Sequence, residues 1–166
     1  MSKIVTVKEL LVQEIKDLFS AENQLTHALP KMAKGASDPD LKKGFEKHLK
    51  ETEVHMDRLE KVAELLDASP RGKSCVAMKG LVKEGEEALQ EDAAADIKDL
   101  ALIVAAQKVE HYEIAGYGGA RALAEALKMN KVVELLQATL DEEGNTDKTL
   151  TEIAGRILAR SKSTTT

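Results

Sequence analysis

Four stretches of this chain carry apolar residues at alternating spacings of three and four, and each stripe is interrupted near its middle by an acid. In the first, Leu11, Ile15, Leu18, Glu22, Leu25, Leu29 and Met32 share one helical face, with Glu22 its single charged member. The second runs Phe45, His48, Thr52, His55, Leu59, Val62 and Leu66, with Glu51 at its edge, so its polar residues gather at mid-length. The third carries Ile103, Ala106, Glu110, Glu113 and Tyr117, and the fourth Val133, Leu136, Leu140, Glu143, Asp147, Leu150, Ala154 and Ile157. Such spacing is helical, and four apolar faces of this length must bury one another. An ionised carboxylate inside costs several kcal/mol unless it is protonated, paired with a base or bound to metal, so the fold must also accommodate the acids.

Local signals set the boundaries. Thr6 and Glu9 form a T-x-x-E capping box that opens a helix running to about Met32, with Pro30 expected to kink or fray its last turn. Asp38 and Pro39 start a second helix that ends near Leu66 or Asp67. The turn-forming run S-P-R-G-K-S at 69–74 follows, then a short helix whose apolar face is Cys75, Met78, Leu81, Val82, Gly85 and Leu89. Long helices over about 93–128 and 131–158 complete the chain, with Asn130 suited to a left-handed cap between them. Gly116, Gly118 and Gly119 predict a kink or a close helix contact. The expected architecture is all-α: a ferritin-like four-helix bundle with a long crossover between helices 2 and 3 that carries the extra short helix. One domain is expected over residues 1–160, followed by a disordered polar tail at 161–166.

Composition narrows the function classes. Aromatic residues are 2% of the chain and the formal net charge is -5, so there is neither a stacking platform nor a basic field for nucleic acid, and anionic membranes repel the surface. Apolar runs fall short of the ~20 residues that span a bilayer, and the N-terminus has no signal-peptide core. Cys75 is the only cysteine and reads as a small buried hydrophobe. A cytoplasmic location is the expectation.

The depths of the acids agree. From the turn near 33–39, Glu22 and Glu51 lie eleven and twelve residues down, roughly 17 Å at the α-helical rise. From the turn near 128–131, Glu113 and Glu143 lie fifteen and twelve down, and Glu110 and Asp147 eighteen and sixteen. Inward Lys or Arg residues are lacking at that level. Six acids on four facing helices, with axes ~8 to 10 Å apart, suit a carboxylate-bridged pair of metal ions. Oxygen donors with one or two imidazoles favour iron or manganese over zinc or copper, so two ions per chain are expected, iron ahead of manganese.

The segments FSAENQL, HLKETE, CVAMKGL, QKVEHYEIAGYG and LDEEGNTDKxL, spread over nearly the whole chain, resemble the bacterial YciE/YciF family. That resemblance implies a ferritin-like core with an added helix, a homodimer, an association with stress responses and a rubrerythrin-like dimetal site. Carried onto this sequence, the metal positions are Glu22, Glu51, Glu110, Glu113, Glu143 and Asp147. The wider ferritin-like pattern places Glu-x-x-His on the second and fourth helices, whereas Val54 and Thr146 stand at those histidine positions here. His55, four residues after Glu51, and Asp147, four after Glu143, are the expected replacements, giving an oxygen-richer site. His48 reads as a hydrogen-bond donor to a ligand, and Tyr117 as either core or a neighbour of the centre. His27 and His111 fall off the stripes, and Glu53, Glu142 and the run Glu84 to Glu91 read as a solvated charged face. Two functions fit. One is a non-haem dimetal oxidase or peroxidase of stress defence, acting on oxygen or peroxide. The other is a structural stress dimer in which metal only ties the bundle together.

Overall fold

The computed structural model describes residues 4–163 and, of these, the side chains up to Ser161. The order of elements is α1 (Val7–Gly35), α2 (Pro39–Leu65), α3 (Val76–Gln90), α4 (Ala95–Ala126) and α5 (Asn130–Ser163). Helices α1 and α2 form one antiparallel hairpin and α4 and α5 another; α2 packs on α5 and α1 on α4, closing a four-helix bundle. The crossover helix α3 lies outside the bundle against α1 and α4. All elements among the described residues are helical, as the stripes require.

The capping signals act where the sequence puts them. Thr6 Oγ1 accepts from Glu9 N (3.1 Å) while Glu9 Oε2 accepts from Thr6 N (2.9 Å), a closed capping box. Asp38 Oδ1 accepts from the amides of Asp40 and Leu41, with Pro39 as the first helical residue of α2. Pro30 lies inside α1, which continues five residues beyond it to Gly35. A device the stripes did not reveal is Asp99 on α4: its oxygens accept from Ser37 N (2.8 Å) and Asp38 N (2.7 Å), pinning the α1–α2 turn to the other hairpin.

Several expectations need correction. The left-handed residue at the α4–α5 corner is Lys128 (φ 57°), not Asn130, which opens α5. Met129 N reaches back to Ala124 O (3.0 Å) and Lys128 N to Glu125 O (2.9 Å), a Schellman end built without glycine. Of the three glycines in α4, Gly116 makes the close contact: a Cβ there would stand 2.8 Å from Leu18 Cδ2, whereas Gly118 and Gly119 face open space. Helix α5 runs through 161–163, where a disordered tail was expected, and Ser161 Oγ donates to Asp96 Oδ2 (3.0 Å). Residues 164–166 of that expected tail lie outside the described residues. The buried seam of α5 is Val132, Leu136, Thr139, Glu143, Leu150, Ile153 and Ile157, so Val133, Leu140 and Ala154 sit one position off it and are half-buried.

The core comes in two parts. One contains Leu25, Leu29, Phe45, Leu102, Ile103, Leu150 and Ile157, with Met78 of α3. The other contains Leu11, Ile15, Leu18, Leu59, Val62, Tyr117 and Leu136. Each fully buried Leu or Ile contributes roughly 1.5–3 kcal/mol, so the two parts carry the stability of the bundle. Between them, along each of the four bundle helices, lies the polar layer.

Candidate metal centre

The layer is built from residues that the apolar seams themselves turn inward. Glu22 continues the α1 seam between Leu18 and Leu25, and Glu110 and Glu113 occupy successive inward positions of α4. On α2 the seam places His48, Thr52 and His55 inside, two turns from first to last, with the imidazole centroids 6.3 Å apart. Glu143 is the inward acid of α5. Glu22, Glu113, Glu143, Thr52 and His55 are 0% exposed, so an ion among them would be cut off from bulk water.

Two groupings form, and they share Glu143. His48, Glu110, Glu113 and Glu143 bring donor atoms within 4.8 Å of one another, as do Glu22, His55 and Glu143. His55 Nδ1 lies 3.1 Å from Glu143 Oε1 and 3.3 Å from Glu22 Oε1. His48 Nε2 lies 3.3 Å from Glu110 Oε1 and 3.8 Å from Glu143 Oε2. Thus the two oxygens of Glu143 face different groupings, the disposition of a bridging carboxylate.

These atoms are close without bonding each other. The buried side-chain atoms without a hydrogen-bond partner include Glu22 Oε2, both nitrogens of His48, His55 Nδ1, Glu110 Oε2 and both oxygens of Glu113 and of Glu143. Among the described residues, Glu51 Oε2 and Thr52 Oγ1 complete the set in this layer, and Arg121 Nε is the one member elsewhere. Buried polar atoms are normally satisfied, and leaving one unsatisfied costs about 1–3 kcal/mol. Donors held at about 2.1 Å around a common ion stand roughly 3.0 to 3.4 Å apart; the separations of 3.1 and 3.3 Å from His55 Nδ1 and of 3.3 Å from His48 Nε2 to Glu110 fall in that range, and Glu143 Oε2 at 3.8 Å from His48 Nε2 lies just outside it. The donor set therefore fits a pair of oxygen-preferring ions with one imidazole each.

Electrostatics tell the same story. Burial, reinforced by the charge of Glu143, pushes Glu110 well above the usual carboxylate range. Burial, reinforced by Glu22 and Glu143, does the same to Glu113. Glu22 is raised by burial despite His55, whereas for Glu143 burial is outweighed by His55 and His48 and the carboxyl is held low. His55, against its burial, is held up at about 10 by Glu143 and Glu22. The layer demands positive charge, and protons supply it when metal does not.

The remaining expected positions lie at the margin. Glu51, one residue before Thr52, is turned about 100° off the seam; its Oε1 meets Lys47 Nζ (2.5 Å) and its Oε2 is 3.9 Å from His48 Nδ1. Asp147 Oδ1 accepts from Gln107 Nε2 (3.1 Å) and faces His111 Nε2 (3.3 Å), on the outer side of the α4–α5 contact. Neither belongs to the two groupings. His48 does belong, as a member of a grouping and not only as a hydrogen-bond donor to a ligand, and its place on the α2 seam is the signal for it. Glu142, read as solvated, instead accepts from His55 Nε2 (2.9 Å) and is clasped by Arg58 at 2.5 and 3.0 Å. Tyr117 OH donates to Glu22 Oε1 (2.5 Å) and its ring meets His55 edge-on.

Comparison with known proteins agrees with this architecture. A family model described as a domain of unknown function, DUF892, matches residues 6–162. Protein YciF of Escherichia coli strain K12 is 42% identical over 150 residues, covering 90% of each chain. The crystal structure of this E. coli stress protein superposes with a TM-score of 0.91 at 40% identity, over 94% of this chain and 99% of that one. A ferritin-like, diiron-carboxylate protein from Bacillus anthracis shares the fold at a TM-score of 0.71 and 17% identity, over 91% and 99% of the two chains. With one family model spanning all five helices and YciF alike in both sequence and fold, this ferritin-like chain belongs to the DUF892 family, that of E. coli YciF.

Proposed function

We propose that this chain is a non-haem dimetal protein that holds two ions, iron ahead of manganese, between its two cores and turns them on oxygen or peroxide in bacterial stress defence. A cytoplasmic homodimer is the form we assign it. The observation that carries the reading is the set of unpartnered buried donors, gathered into one layer as two groupings whose donor atoms lie within 4.8 Å of one another.

The roles of the chain's own residues follow from their contacts. Glu143 spans both groupings, Glu110 and Glu113 with His48 complete one, and Glu22 with His55 completes the other. His55 donates its Nε2 proton to Glu142, so Nδ1 is the nitrogen free to face the centre. Arg58 holds Glu142 in place by two hydrogen bonds. Tyr117 keeps a phenolic proton at Glu22 Oε1, the one hydroxyl donor to a carboxylate of either grouping among the described residues. When bound, the two ions supply one electron each and neutralise the carboxylates. The two apolar cores on either side exclude water from that chemistry.

A second reading rests on the depth of the same layer: a centre with donors 0–3% exposed ties four helices together whether or not it turns over. Metal content of anaerobically purified protein, followed by oxygen and peroxide consumption, separates the cases. Two ions per chain with oxidant consumption are expected. Two ions in a protein inert to both oxidants leave the structural reading, and absence of metal together with a melting temperature indifferent to Fe(II) and Mn(II) leaves a protonated network.

A further inference from the structure

An ion destined for so deep a layer needs a way in. Three partly exposed acids border it: Glu51, Glu142 and Asp147, with side chains 22%, 32% and 21% exposed. Glu142 is committed to Arg58 and His55, and Asp147 to Gln107 and His111. Glu51 differs. Its outer oxygen is held by Lys47, whose side chain is 70% exposed, while its inner oxygen is buried, unpartnered and 3.9 Å from His48 Nδ1. Next to it, between α2 and α5, opens a cavity of about 90 Å³ lined by Gly44, Lys47, Glu51, Thr146 and Thr149 among others. Gly44 and the two threonines keep that wall short, and Thr146 stands one turn from Glu143. A volume of this size exceeds the ~30 Å³ share of one water molecule, enough for a partly hydrated cation.

Resting on the dimetal reading above, we propose that the α2–α5 cavity is the entry port for divalent cations and that Glu51 is the transit carboxylate. It takes the ion on the solvent side and passes it inward beside His48. Lys47 is the latch: its ammonium occupies the oxygen that an arriving cation needs, and must swing away, which its exposure permits. Glu51 thereby serves loading without belonging to either resident grouping.

The test is Co(II) uptake by the full-length chain after chelator treatment, followed by stopped flow with a metallochromic indicator and closed by elemental analysis at the end point. Glu51→Gln keeps the side-chain shape and removes the charge. It should load about tenfold more slowly, within the range by which local charge alters association rates, and still reach two ions per chain. Lys47→Gln should load several-fold faster to the same end point. Glu84→Gln, on α3 where Glu84 pairs with Lys108 of α4 and outside the lining of the α2–α5 cavity, controls for overall charge and should load as the wild type does. Wild-type rate and full stoichiometry in Glu51→Gln would overturn the port. An end point one ion short in Glu51→Gln would overturn it differently, by making Glu51 a resident ligand. A wild type that binds no Co(II) removes the centre together with its port, an outcome distinct from both.

Discussion

The two donor groupings meet at Glu143 but are held in different ways. On the His55 side almost every group has an outer partner: His55 leans on Glu142, Glu142 on Arg58, and Glu22 on Tyr117. On the His48 side both imidazole nitrogens and both oxygens of Glu113 lack a hydrogen bond. One half is organised by protein contacts, whereas the other is left for something else to organise. The difference teaches that burial alone does not build a metal site; partners outside the donors fix tautomer and direction, and where they are absent the ion itself must do so.

The largest effect should come from the residue the two halves share. Glu143→Ala should abolish loading of both groupings, measured by elemental analysis; retention of either ion would show that the halves are independent. Next comes the outer contact on the organised side. Glu142→Ala should weaken cation affinity there by about 10- to 100-fold while the His48 side still fills, giving a biphasic Mn(II) titration. A single unchanged phase would mean that His55 does not depend on Glu142.

Loading itself should act on stability. With metal at 100 times its dissociation constant, folding gains about 2.7 kcal/mol, read as a rise in melting temperature. That gain should grow with pH, and the sign follows from the proton balance. His55 is held up at about 10 in the fold against an ordinary value of 6.5, and burial pushes Glu110 and Glu113 in the same direction. On His55 the folded apoprotein binds more protons than the unfolded chain, so this residue's contribution to stability is fully present below 6.5 and is lost as pH rises toward 10. Metal binding displaces those protons, so the loaded protein should keep its melting temperature over that window. Parallel decline of both forms would place the titrating groups outside the layer.

The smallest change lies far from the layer. Lys128 holds a left-handed conformation at an exposed corner, so Lys128→Gly should stabilise the fold by up to ~1 kcal/mol in chemical denaturation and leave metal content untouched. A loss of stability would show that the corner depends on the lysine side chain.

What the sequence alone determined was the set of faces. Helical periodicity is local, so the four stripes, the capping box at Thr6 and Glu9, the crossover helix and the depth of Glu22, Glu110, Glu113 and Glu143 were all legible from spacing and rise. Which side of a stripe's edge a residue falls on was not. Glu51 and Asp147 are each one position from the inward line, and a rotation of about 100° per residue sends their carboxylates to Lys47 and to Gln107 instead. The seam of α5 had to be chosen between two adjacent rows of apolar residues, and only packing against α4 and α2 selected Val132, Thr139 and Ile153 over Val133, Leu140 and Ala154. The ties from His55 to Glu142 and from Tyr117 to Glu22 join residues 87 and 95 positions apart. Such pairings arise when helices dock, because a side chain's direction is set by its own helix but its partner is set by the neighbouring one.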